Sequence, residues 1–364
     1  MDWENRWHPL LEQWVTITSH RGARPWKGSV ANAANAANAA NAANAANAAN
    51  AANAANKEPV TAASYDPDCY LCPGNTRISG EINPDYEEIF VFDNDHPSFD
   101  IQAPEPRPSA PFYKSSIASG VCRVMCYDRH HQTALGQLPV QQIQAVIASW
   151  VEQSRLLYQD RQIKTVFIFE NRGELVGVSN PHPHCQIYGV PFVMDTIGRE
   201  LAAVQRYRQQ HNVNLFSQIL RAEQEDGRRI LFSDDHWLGF VPYFARLPYE
   251  MYLMTRSDFS DLRHCPSGAV ESMARGLKIM LAALDALWNT PQPYILSVHQ
   301  APVADSDTSD YRCFIQIIPL MRAPGLQKFL AGVETGAGQF LNDGSPEQKA
   351  MELRQAQNRG SGGV

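Results

Sequence analysis

A chain of 364 residues with 44% hydrophobic and 19% charged residues can bury a sizeable core, and it predicts a globular protein of two domains or one large α/β domain. Its 31 Lys and Arg against 38 Asp and Glu leave a net charge of -7, which speaks against a nucleic-acid surface. The start, MDWENRWHPLLEQW, has no basic segment leading into an apolar one, and no run elsewhere is apolar enough to span a bilayer, so we expect a cytoplasmic protein with no membrane segment. Seven cysteines, an odd number, argue for thiols that are buried, reactive or metal-bound and against a disulfide framework.

In chain order, SHRGARPWKG presents Arg21 and Arg24 beside Trp26 and Lys27, guanidinium forks of the kind that suit phosphate oxygens. Residues 31–56 repeat Ala and Asn with a period of three; a helix advances 3.6 residues per turn, so this period leaves no apolar stripe and reads as a solvated insert. CYLCPGN then sets Cys69 and Cys72 at the C-x-x-C spacing that lets two thiolates reach one tetrahedral zinc. A redox pair is the alternative, but the expected βαβ context is missing.

Two stretches follow with one order of elements. The first has strands at EEIFVFDNDHPSF and GVCRVMCYD, a helix at LPVQQIQAVIASWVEQSRLLYQD, and closing strands at KTVFIFENRG and PHPHCQIYGVP. The second has strands at RRILFSDDHWLGFVPYF and YEMYLMTRSDFSDL, a helix at SGAVESMARGLKIMLAALDALW, and closing strands at PYILSVHQAP and YRCFIQIIPLM. This predicts one duplicated unit. Aligning the last strands on Gln186 and Gln316 sets Arg312 opposite His182 and Phe314 opposite His184, so the chemistry is expected in the first copy. In an extended strand His182, His184 and Gln186 share one face, and Pro181 and Pro183 predict an edge or strand-end position open to a ligand. A Cys, Cys, His, His zinc site can be written from Cys69, Cys72, His182 and one of His130 and His131.

The motif SNPHPHCQ, with SHRGARPWKG, DPDCYLCPGNTRISGEINPDYEEIFVFDNDHPSF, DDHWLGFVPYFARLPYE and RAPGLQKFLAGVE, resembles the galactose-1-phosphate uridylyltransferase family of the histidine-triad superfamily. The resemblance implies an α+β fold of duplicated histidine-triad-like units, with mainly antiparallel sheets flanked by helices. Residues 1–195 would carry zinc and the nucleophile, and residues 196–364 would form a degenerate copy that contributes to the sugar-phosphate site. It implies His184 as nucleophile, Gln186 on the transferred phosphoryl group, and Cys69, Cys72, His131 and His182 as Zn2+ ligands. Arg21, Arg24, Asn171, Gly177 and Ser179 would contact phosphate, and Asn94 and Asp95 would line the nucleoside pocket. Lys328, Glu334 and Gln339 would bind the hexose phosphate in a site shared across a homodimer. Members also bind a second metal, often iron, through a Glu, a His and an H-x-H pair. Glu200 and His299 match the first two, whereas RCFIQIIP replaces the pair, so that site is expected to be incomplete. The implied reaction moves UMP between UDP-glucose and galactose 1-phosphate; a relative acting on another nucleotide sugar or on dinucleoside polyphosphates is the alternative.

Overall fold

A computed structural model describes residues 3–18, 64–106, 112–178 and 180–361. Arg21, Arg24, Ser179 and the 31–56 insert lie outside the described residues.

Short apolar runs rich in β-branched and aromatic residues form the strands. An N-terminal hairpin, β1 (Trp3–His8) and β2 (Gln13–Thr18), is followed by β3 (Phe90–Asp93), β4 (Val121–Cys126), β5 (Thr165–Arg172), β6 (His184–Val190), β7 (Ile230–Ser233), β8 (Trp237–Phe240), β9 (Met251–Thr255), β10 (Tyr294–His299) and β11 (Phe314–Pro319). Strands β3 to β11 make one sheet of nine in the order β3-β4-β6-β5-β10-β11-β9-β8-β7, with every neighbouring pair antiparallel. The order β3-β4-β6-β5 returns from the other side as β8-β9-β11-β10, and the copies join at β5 and β10. The register makes the duplication explicit: Phe92, Val124, Gln186, Phe169, Ser297, Gln316, Tyr252 and Phe240 are successive partners across the sheet, with the two glutamines at equivalent steps.

Helices α1 (Val140–Leu157) and α4 (Ser267–Ala286) cover one face of the sheet. Each begins after a proline, Pro139 and Pro266, and each buries a stripe at helical spacing: Ile143, Ile147, Trp150 and Val151 on α1, Met273, Leu277, Met280, Leu281 and Leu284 on α4. The two stripes meet each other and the inward side chains Ile168, Ile187, Leu253 and Ile315 in a single cluster, so both copies share one core.

The opposite face is treated unequally. Over the second copy, α2 (Asp195–His211) and α3 (Leu215–Asp226) press Leu201, Val204, Phe216 and Leu220 onto Leu238, Phe240, Tyr252, Met254 and Phe314. Neither helix was foreseen from the strand and helix pattern of the repeat. Over the first copy no helix among the described residues packs on that face, and Phe167, Phe169, His184, Gln186 and Tyr188 alternate, half-buried, with fully buried neighbours. The chain closes with the ribbon β12 (Met321–Ala323) and β13 (Leu326–Gln327), a short α5 (Gly332–Ala337), β14 (Phe340–Asn342), which pairs in parallel with β2, and α6 (Pro346–Ser361). Among the described residues no helix is long and apolar enough to cross a membrane.

Because the cluster runs through both copies, Trp150→Ala should cost about 3–5 kcal/mol and should lower the urea midpoint of one transition. Fluorescence and circular dichroism should report coincident unfolding; two separated transitions would mean that the copies fold independently.

Candidate active site and metal centre

Backbone turns bring the C-x-x-C pair together. Cys72 N donates to the Cys69 carbonyl at 3.1 Å, and Asn75 Nδ2 holds the carbonyls of Asp66 and Cys69 at 2.9 and 2.8 Å. Cys69, Cys72, His131 and His182 are all buried, and their ligand atoms lie within 4.8 Å of one another. Cys72 Sγ is 3.6 Å from His131 Nδ1 and 3.5 Å from His182 Nδ1. Bonds of ~2.0–2.3 Å to a tetrahedral ion imply ligand separations of about 3.3–3.8 Å, so these positions fit a metal. His130 instead turns outward and meets Asp128 Oδ1 at 2.5 Å.

The surroundings fix the tautomer of His182. Its Nε2 lies 2.9 Å from the Asp128 carbonyl and 2.8 Å from Tyr86 Oη, and Tyr86 donates its own proton to the Leu71 carbonyl at 2.6 Å. Nε2 therefore carries the hydrogen and Nδ1 keeps its lone pair toward the thiols. Burial pushes His182 down to about 4 and, with the Cys69 thiol alongside, pushes Cys72 up to about 11. Neutral imidazole suits a metal ligand, while two adjacent buried thiolates need a cation to offset their charge.

The strand differs from its expected form in two respects. It begins at His184, so His182 precedes it in the bend of Pro181 and Pro183; and β6 is an interior strand between β4 and β5, where an edge was one expectation. The prolines are tolerated because they lie outside the ladder, and the Pro183 carbonyl still accepts from Tyr127 N at 3.0 Å. Asn180 links strand and metal site, its Oδ1 accepting from His182 N at 3.0 Å while its Nδ2 reaches Cys69 Sγ at 3.2 Å.

His184 and Gln186 share a face and line a small recess with Phe169, Asn171, Gly177 and Val178. Gly177 sits at φ +78°, a left-handed conformation that ends the preceding turn and that glycine adopts without strain. His184 Nδ1 is 2.7 Å from the His182 carbonyl, which can only accept, so Nδ1 is protonated and the Nε2 lone pair is free. Burial lowers the His184 pKa against the opposing effect of that hydrogen bond. The result is a neutral imidazole whose Nε2 lone pair meets no partner among the described residues.

A second, 360 Å³ cavity also borders His184, and Glu170 lies in its wall. Glu170 is buried and accepts from Tyr294 Oη at 3.0 Å and Tyr127 Oη at 3.2 Å; burial pushes it up to about 7. Sequence reasoning missed Glu170, Tyr86 and Tyr188. Tyr188 was readable, since it continues the two-residue period of His184 and Gln186; Tyr86 was not, because it meets His182 from 96 positions away. Asn94 approaches Gln186, while Asp95 faces Arg77 at 3.4 Å.

Lys328 and Glu334 form a buried ion pair at 3.0 Å beside Asp343, in a separate 390 Å³ cavity. Gln339 donates to the Trp14 carbonyl at 2.7 Å and does not line that cavity. At the second-metal position, His299 Nδ1 meets Glu200 at 3.0 Å, His299 Nε2 meets Ser297 Oγ at 3.0 Å, and Tyr311 donates to Glu200 at 2.5 Å. Phe314, which stands opposite His184 in the other copy, stacks on the His299 ring at 4.4 Å. Both imidazole nitrogens are engaged and an aromatic ring fills the adjoining space, so this set does not fit a metal.

The sheet, its duplication and the histidine beside a Cys₂His₂ knuckle define an α+β protein of the histidine-triad kind. Residues 1–193 match the family described as galactose-1-phosphate uridyl transferase, N-terminal domain, and residues 200–360 match its C-terminal domain. The chain is similar to the galactose-1-phosphate uridylyltransferase of Haemophilus influenzae, with 34% identity covering 96% of this chain and 93% of that protein, and to that of Rattus norvegicus, with 33% identity covering 96% and 86%. A solved uridylyltransferase structure superimposes with a TM-score of 0.74 at 29% identity, covering 81% of this chain and 93% of that one. An ADP-glucose phosphorylase from Arabidopsis thaliana shares the fold, with a TM-score of 0.72 at 18% identity over 98% of this chain and 99% of that one. The chain belongs to the galactose-1-phosphate uridylyltransferase family, and it is a transferase of that family.

Two outcomes follow from this geometry. His131→Ala should abolish stoichiometric metal binding measured by elemental analysis, whereas His130→Ala should retain it. For Glu170 the folded pKa is raised from an unfolded value near 4.5 to about 7, so its stabilising effect is present in full below pH 4.5 and is lost as pH rises toward 7. Above pH 7 the buried carboxylate costs about 3 kcal/mol. Glu170→Gln should therefore gain on the wild type in urea melts between pH 4.5 and 8, and a pH-independent difference would contradict the assignment.

Proposed function

We propose that the protein transfers UMP from UDP-glucose to galactose 1-phosphate through a covalent uridylyl-His184, in a ping-pong cycle belonging to galactose metabolism. The observation that carries this reading is the protonation of His184: Nδ1–H is committed to the His182 carbonyl, burial disfavours the imidazolium, and Nε2 opens onto the recess shared with Gln186. Nε2 attacks the α-phosphorus, an N–P bond forms, and the P–O bond to glucose 1-phosphate breaks. The phosphate of galactose 1-phosphate then attacks the same phosphorus and returns the lone pair to Nε2. Gln186, Asn171 and the backbone near Gly177 bind the phosphoryl oxygens, joined in this reading by Ser179, Arg21 and Arg24. Asn94 and Asp95 flank the nucleoside.

Zinc, held by Cys69, Cys72, His131 and His182, would contribute folding free energy and rigidity at the start of β6. The rebuilt Glu200 and His299 site supports one metal per chain. Lys328 and Glu334 line a different cavity from His184 within one chain, which supports a homodimer whose partner, with Gln339 nearby, completes the hexose-phosphate site.

The test is to incubate the protein with UDP-glucose and isolate a uridylylated peptide. It should contain His184, discharge to galactose 1-phosphate and be absent from a folded, metal-replete His184→Ala variant. Adduct on another residue, or transfer by that variant, would overturn the assignment. A panel of hexose 1-phosphates, water and inorganic phosphate as acceptors identifies the second substrate.

A further inference from the structure

A glutamine side chain has an accepting end and a donating end, and only the donating end can bind an anionic phosphoryl oxygen. Which end Gln186 offers is settled by a chain of contacts that begins at a group with no freedom to rotate. His96 N–H donates to Asn94 Oδ1 at 2.9 Å. Being a backbone donor it requires the oxygen of Asn94 on its side, so Asn94 Nδ2 must point away, and it points to Gln186 Oε1 at 3.4 Å. Tyr188 Oη donates to the same Oε1 at 3.1 Å. Among the described residues nothing occupies Gln186 Nε2, which is left for the recess of His184. The turn is itself anchored: Asn94 N donates to the Cys122 carbonyl at 2.8 Å, and Asp95 is held by Arg77 at 3.4 Å.

We infer that Asn94 is a positioning residue, with Tyr188 as its auxiliary, that orients the Gln186 amide so that its N–H group meets the transferred phosphoryl oxygen. This rests on the reading of His184 and Gln186 given above and adds to Asn94 a task directed at the enzyme's own side chain. Tyr188 alone would not suffice, because a hydroxyl can rotate to accept as readily as donate. Asn94 cannot, as its oxygen is already claimed.

The decisive variant is Asn94→Asp, which keeps an acceptor for His96 N but offers Gln186 a second acceptor, inviting its amide to turn and present oxygen to the phosphoryl group. Removing one oriented donor typically costs about 100-fold or more in turnover, and we expect that loss in kcat/KM for UDP-glucose. In a Gln186→Ala background the same substitution should cost less than about threefold, since there is no amide left to turn. Tyr188→Phe should cost about three- to tenfold. An equal loss in both backgrounds would show that the new carboxylate repels the phosphate directly and would overturn the inference.

Wild-type protein that forms no uridylyl adduct would sink the proposed reaction without deciding the orientation of Gln186. The same cycle is therefore also run on UMP affinity by calorimetry. There Asn94→Asp should weaken binding at least about tenfold only where Gln186 is present, and weakening in both backgrounds would again overturn it.

Discussion

The site hangs on one imidazole. His182 donates through Nε2 to the Asp128 carbonyl and Tyr86, turns Nδ1 to the two buried thiols and His131, and offers its backbone carbonyl to His184 Nδ1. Three unrelated segments, the loop after Cys69, the turn after β4 and the start of β6, are thereby tied at one residue. The orientation of His184 follows from that knot: moving His182 moves both its own thiol-facing nitrogen and the carbonyl that dictates the tautomer next door. Two prolines flanking His182 narrow its backbone further, since each fixes its own φ and restricts the residue before it.

The duplicated sheet shows how its two copies differ at equivalent positions. Gln186 and Gln316 occupy equivalent steps of one register row, yet their amides are used in opposite senses. Among the described residues Gln186 has its oxygen occupied and no partner on its nitrogen, whereas Gln316 Nε2 donates to the buried carboxylate of Glu250 at 2.6 Å. Phe314 takes the step of His184 and packs under α3 with Tyr311 and Phe216. The cover of α2 and α3 and the apolar Phe314 go together in packing terms, because an apolar side chain there is useful only once a helix lies on it.

Much of this was legible in the sequence for a physical reason. The two-residue period of β6, the helical stripes of α1 and α4, and the C-x-x-C spacing are local patterns that backbone geometry translates directly. The equivalence of Gln186 and Gln316 could be read by aligning closing strands, since the register follows the side-chain alternation. What could not be read were facts of long range: the interior position of β6, α2 and α3 as the cover of one copy only, and Tyr86 behind His182. The Glu200 and His299 set lies between. The missing H-x-H pair was visible in RCFIQIIP, but the closure of Glu200 and His299 by Ser297, Tyr311 and Phe314 required the fold.

The setting of His184 suits a nucleophile better than a base. Several other histidines of this chain face carboxylates: His130 meets Asp128 at 2.5 Å, His264 meets Asp261 at 3.1 Å and His299 meets Glu200 at 3.0 Å. A carboxylate behind an imidazole stabilises the cation and suits a group that must take up a proton. Among the described residues His184 has none. Its partner is a neutral carbonyl, which fixes the tautomer but contributes only a dipole toward the charged form, and burial outweighs it. An imidazole arranged in this way keeps its lone pair at neutral pH and bonds to phosphorus without a proton to lose from the attacking nitrogen. That is the requirement of covalent transfer between two phosphates, in which no proton need be shuttled.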